Sequence, residues 1–169
     1  MRSVVMFSIL SILPCASQAD VSAFSKGPAL EDYGPVADVD VTFAIPNDTV
    51  FRHSFDVAEQ ASEGELNRTL ESAARFINMH AGAGIDTNRI ELAVVVHGKA
   101  VHNVATGVSG NPGLVAALID QGVSIIVCGQ SAAYYGVATG DLLPGVEMAL
   151  SAMTAHALLQ QQGYTLNPF

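Results

Sequence analysis

The chain has 169 residues, half of them hydrophobic, with 14% charged residues and a formal net charge of -9. That is room for one domain with a real apolar core, and it excludes an intrinsically disordered protein. Only seven Lys and Arg are scattered along the chain, so there is no basic stripe for nucleic acid, and the acidity reads as solubility.

Residues 1–19 read as a targeting segment. Arg2 gives a positive start, Val4 to Leu13 is mostly apolar, and Ser17 and Ala19 form a small-x-small pair that places signal-peptidase cleavage after Ala19. The run is too short to span a bilayer comfortably, and no other stretch is long enough for a membrane span. Pro14 before Cys15 argues against a lipid anchor at that cysteine. The expected location is therefore periplasmic or secreted. Cleavage removes Cys15 and leaves Cys128 alone, so the mature chain has no internal disulfide.

Residues 20–38 form an N-terminal arm punctuated by Gly27, Pro28, Gly34 and Pro35, and residues 39–169 form the domain. Val39, Val41, Phe43 and Ile45 alternate as a strand does, Pro46 to Thr49 is turn chemistry, and Phe51, His53, Phe55 and Val57 alternate again. The pair reads as a hairpin or as two sheet strands. Ser62 with Glu65 forms a capping box for a helix whose apolar face is Leu66, Leu70, Ala73, Ala74 and Ile77, ended by Gly82 and Gly84.

Ile90 to Val96 is a strand apolar enough to be covered on both faces. Asn111-Pro112 opens a helix with Leu114, Val115, Leu118 and Ile119 inward, and Gly122 closes it. Val123 to Val127 is the next strand, and a helical turn follows from about Ser131 to Tyr135. Val146, Met148 and Leu150 alternate as a strand, with Ser151 capping a helix to Gln162; a single helix from Pro144 fits almost as well. Strand then helix is preferred because it completes the β-then-α order. This order predicts an α/β fold, a three-layer sandwich with a mostly parallel central sheet, and places chemistry at the carboxyl ends of the strands.

Two segments stand there: His97-Gly98-Lys99-Ala100 and Cys128-Gly129-Gln130-Ser131. A thiol between a strand end and a helical turn meets free backbone N–H groups, which favour the thiolate. A single thiol suits a mixed disulfide or a persulfide, each resolved by another molecule. The bland alternative is that Cys128 is a small core hydrophobe. His97 is read as a partner for the thiolate or as a residue satisfying its loop, and Gly98 as a point of close backbone approach. Lys99 and His102 are read as an anion contact or as a solvated loop face. Phe51, Tyr134 and Tyr135 are read as core or interface, and the Phe51 and Phe55 segment and the Tyr134-Tyr135 turn as candidate contact surfaces between copies of the chain. The five histidines show no metal spacing, and no P-loop, dinucleotide fingerprint or G-x-S-x-G is present, so no metal and no cofactor are implied.

Val94-Val95-Val96-His97-Gly98 taken with Gly122-Val123 and Val127-Cys128-Gly129, and the ending Leu159 to Tyr164, resemble the DsrE/DsrF-like family over roughly residues 50 to 169. The resemblance implies a compact three-layer domain that assembles as a homotrimer or homohexamer. It also implies that Cys128 carries sulfur as a persulfide, passed between donor and acceptor proteins or small thiols. The sequence expectation is a periplasmic sulfur carrier with Cys128 as the reacting residue. Gly129, Gln130 and Ser131 would surround the sulfur through backbone and side-chain donors, with His97 and Gly98 across the pocket. The alternative is a non-catalytic oligomeric module that binds a small ligand in the same cleft. A cysteine hydrolase fits least, because no motif supplies an acid to orient His97.

Overall fold

The computed structural model describes residues 21–107 and 110–168; the expected signal peptide and Cys15 lie outside the described residues. Two short strands, β1 (Phe24–Ser25) and β2 (Val36–Ala37), pair antiparallel in the arm. The central sheet starts at β3 (Phe51–Val57) and continues through α1 (Arg68–Gly82), β4 (Ile90–Val96), α2 (Pro112–Asp120), β5 (Ser124–Cys128), α3 (Gly129–Tyr135), β6 (Glu147–Ala149), α4 (Ala152–Gln161) and β7 (Thr165–Leu166). All five of its strands are parallel, in the order β6-β5-β4-β3-β7.

The topology explains the layers. From β3 to β6 the chain steps along the sheet in one direction, and the helices on these connections share one face. The last connection runs back from β6 at one edge to β7 at the other. With crossovers of one hand, a reversed step puts its helix on the opposite face. Accordingly, of the described helices α4 alone packs on that side, where Ala155 and Leu159 cover Ala93 and Val95. The larger core lies on the other face, where Leu92, Val94, Val96, Ile125 and Val127 meet Leu70, Ala73, Ile77, Leu114 and Leu118. Leu92 through Val96 are at most 1% exposed, as a doubly covered strand requires. The result is the three-layer α/β sandwich with a parallel central sheet that the sequence predicts.

Three local expectations are corrected. Val39, Val41 and Phe43 form no strand; they are 67%, 61% and 90% exposed. The edge of β3 they would pair with is taken by β7, through His53↔Thr165 and Ser54↔Leu166. The first long helix is capped by Asn67, whose side chain accepts from Thr69 N and Leu70 N, and not by Ser62. Ser62 instead closes a turn through its carbonyl and Glu65 N, with Gly64 inside that turn at φ +79°. Phe55, read as interface, is 4% exposed in the core. The tail follows the preferred order, strand β6 and then α4, with Ser151 Oγ accepting from Thr154 N at 3.1 Å.

Candidate functional site

Strand register and side-chain parity bring the site together. In a strand, alternate residues share a face. Val95 faces α4, so His97, two residues on, does too. Asp56 is paired with Val95, and Ile126 is paired with Val95 on the other side, which puts Asp56 and then Cys128 on that same face. All three lie at the carboxyl ends of neighbouring strands. From above, α4 lowers His156 onto Asp56. These side chains, with Ser131, Gln130, Ser151 and Met153, line a cleft of about 340 Å³.

Cys128 ends β5 and is the N-cap of α3, which begins at Gly129, two residues earlier than the sequence suggests. Its sulfur accepts from Ser131 N at 3.4 Å. Burial pushes this thiol up, but hydrogen bonds from the Ser131 hydroxyl and from the N–H groups of Ser131, Ala152 and Gln130 outweigh it and hold the pKa below the ordinary thiol value. Ala152 is the first residue of α4. The sulfur therefore meets the free N–H groups of two helix starts. Ser131 Oγ also accepts the Gly98 N–H at 3.0 Å, which turns its own proton toward the sulfur.

The glycines make the approach possible. A Cβ on Gly129 would lie 2.8 Å from the Ala149 carbonyl oxygen, so only glycine lets α3 start this close to β6. Gly98 has φ +55° and abuts the Ala58 carbonyl. Gln130 contributes its backbone N–H; its side-chain amide donates to Leu150 O at 3.3 Å. Lys99 is exposed and does not line this cleft, and His102 rests edge-on against Tyr135 with ring centroids 5.9 Å apart.

The sequence reading missed the acid. Asp56 Oδ2 accepts from His97 Nε2 at 2.9 Å, and Asp56 Oδ1 accepts from His156 Nε2 at 2.7 Å. Burial raises the Asp56 carboxyl, but the two imidazole hydrogen bonds more than reverse this, and its pKa is lowered. His156 Nδ1 is buried with no partner among the described residues. His97 is turned to Asp56, and no hydrogen bond joins it to Cys128 among the described residues. An acid-oriented histidine thus exists, yet the nucleophile–base contact of a cysteine hydrolase does not. No local signal marks Asp56: its side chain is 40% exposed near the end of β3, which is ordinary for a charged residue on a half-covered strand.

The fold and the site define a doubly covered parallel α/β domain with one cysteine at a strand end. The chain belongs to the DsrE/DsrF-like family, whose model matches residues 53–168; this family is generally implicated in sulfur relay. Among solved structures, it is similar to the protein of unknown function MTH1491 from Methanobacterium thermoautotrophicum, at 23% identity and TM-score 0.55, over 69% of this chain and 97% of that one. It is also similar to the YchN protein from E. coli, at 18% identity and TM-score 0.51, over 69% of this chain and 100% of that one. These likenesses speak to the fold. No curated protein matches the chain.

Proposed function

We propose that the protein is a sulfur carrier that holds sulfur on Cys128 as a persulfide or mixed disulfide. The observation behind this reading is the place of Cys128 Sγ between the starts of α3 and α4, where it accepts from Ser131 N at 3.4 Å and the Gln130 and Ala152 N–H groups favour its thiolate. Such a cradle stabilises a thiolate both before sulfur arrives and after it leaves. A thiolate is the form that attacks a sulfane sulfur, and it is also the leaving group when that sulfur moves on. The expected partners are donor and acceptor proteins or small thiols. The expected setting is the periplasm or the exterior, after cleavage behind Ala19, with assembly as a homotrimer or homohexamer. Among the described residues no helix is long and apolar enough to cross a membrane.

One observation favours the second reading, a non-catalytic ligand-binding module: Cys128 is only 6% exposed. Incubation of the folded chain with inorganic polysulfide separates the two. The carrier gains one sulfur mass that a thiol reductant removes, and Cys128→Ser gains none. A folded chain whose thiol takes no sulfur, and reacts only after unfolding, is a packing cysteine.

A further inference from the structure

We infer that the Asp56–His97 pair, braced by His156, serves the incoming sulfur acceptor and not Cys128: His97 takes the proton of the acceptor thiol while Asp56 and His156 hold its ring in place. The inference rests on the carrier reading above.

The geometry separates two jobs within one cleft. Cys128 draws its stabilisation from Ser131, Ala152 and Gln130, with no histidine among the contributors. The cleft nevertheless holds two imidazoles, both tied by Nε2 to the two oxygens of one carboxylate. That arrangement holds one half-exposed carboxylate between two rings, and the thiolate has no need of it. The titratable groups of the cleft are Cys128 from β5, Asp56 from β3, His97 from the end of β4 and His156 from α4. The group left to be served is whatever enters the cleft.

The two rings are not equivalent. The His156 side chain is 16% exposed and its Nδ1 is buried without a partner. A bare lone pair there costs less than an N–H⁺ lacking an acceptor, so this packing fits the neutral Nε2–H tautomer. His156 then fixes Asp56 without neutralising its charge. The His97 side chain is 33% exposed, and its Nδ1 makes no hydrogen bond to a described residue. It is the ring that a ligand can reach, and the Asp56 carboxylate behind it stabilises the proton it takes up. His156 is a positioning residue.

The step balances without an outside oxidant. An acceptor R–SH gives its proton to His97 Nδ1 as its sulfur attacks the outer sulfur of Cys128–S–SH. The R–S–SH bond forms and the bond from Cys128 Sγ to the outer sulfur breaks. Its electron pair stays on Cys128 as a thiolate held by the N–H donors, and His97 passes its proton to water.

The test uses the full chain loaded with inorganic polysulfide, freed of excess, and offered 2-mercaptoethanol from pH 6 to 9, with mass spectrometry following both loading and delivery. For His97→Gln, the ratio of delivery rate to loading rate should fall on the order of 10²-fold at pH 7. The deficit should close as pH approaches the acceptor's own pKa, where thiolate needs no base. Asp56→Asn should behave alike and serves if His97→Gln does not fold. His156→Gln, which keeps an N–H donor for Asp56, should deliver faster than His156→Ala. Unchanged delivery in both His97→Gln and Asp56→Asn, or a deficit that persists undiminished at pH 9, overturns the inference. A wild-type chain that takes no sulfur overturns the carrier reading on which it stands.

Discussion

Asp56 and His156 are separated by 100 positions in sequence and by 2.7 Å in space, so one hydrogen bond ties the end of β3 to the middle of α4. Its partner bond to His97 ties β3 to the end of β4. Folding lowers the Asp56 carboxyl pKa, so the carboxylate is bound more tightly in the native state than in the unfolded chain. The sign follows from linkage. This contribution is fully present above the ordinary carboxyl value of about 3.9 and is lost as pH falls through the lower native value.

The first prediction comes from that sign. Between pH 7 and pH 3 the wild-type chain should lose more stability than Asp56→Asn, which has no carboxylate to protonate. Urea midpoints at the two pH values measure it. Equal losses in the two proteins would mean that Asp56 is not held as the geometry indicates.

The second prediction concerns the thiol. The rate of Cys128 alkylation against pH should have its midpoint below the ordinary thiol value of about 8.5. Ser131→Ala removes the hydroxyl donor and should move that midpoint up, slowing alkylation several-fold at pH 7. It also strips Gly98 N–H of its acceptor, at a cost on the order of 1–3 kcal/mol. His97→Ala should leave the midpoint in place, because no histidine holds the sulfur. A midpoint that moves with His97 and ignores Ser131 would reverse these assignments.

Much of this was legible in the sequence because it rests on local pattern. The apolar run Leu92 to Val96, Pro112 at a helix start and Ser151 before α4 each announce one element, and each stands where it was read. The strand-end places of Cys128 and His97 were legible because the β-then-α order marks where each strand stops. Asp56 was not singled out, because with Phe55 and Val57 beside it, it reads as a solvent-face residue; it is 40% exposed, and only α4 returning across the sheet brings His156 to it. His156 stayed hidden for the same reason: nothing local says which residue of a helix lands on a strand 100 positions earlier in the chain. The Val39 to Ile45 alternation misled because a strand needs a free edge, and β7 had filled it.

Gly129 gives the third prediction. Gly129→Ala sets a Cβ at 2.8 Å from the Ala149 oxygen, so the start of α3 and the end of β6 must move apart. The strain should lower stability by about 1–3 kcal/mol. It should also loosen the Ala152 N–H from the sulfur and raise the alkylation midpoint. Thermal unfolding and the pH–rate curve read the two effects separately, and a variant of full stability would show that the close approach is not required.

The fourth prediction lies at the arm. Asn78 is fully buried in α1, and its side chain accepts from Ala29 N and Leu30 N while donating to the carbonyls of Leu30, Tyr33 and Gly34. One amide thus lies within hydrogen-bond distance of five backbone groups of the arm, its two N–H bonds shared among three carbonyls. Asn78→Leu should release residues 27–35 and cost on the order of 2–4 kcal/mol. Trypsin should then cut after Lys26 faster than in wild type. Cys128 alkylation should stay as it was, since the latch is on the opposite face of the sheet. Unaltered resistance at Lys26 would show that other contacts hold the arm.

Because α4 alone spans its face of the sheet, leaving β6 and arriving at β7, it works as a strap buckled at both edges. The outer buckle is small: β7 is Thr165–Leu166, paired with His53 and Ser54. Tension on that end reaches His156 along a single helix. A strand this short is easily displaced, and a displacement there is carried by α4 to His156 and, through Ala152 at its first turn, to Cys128.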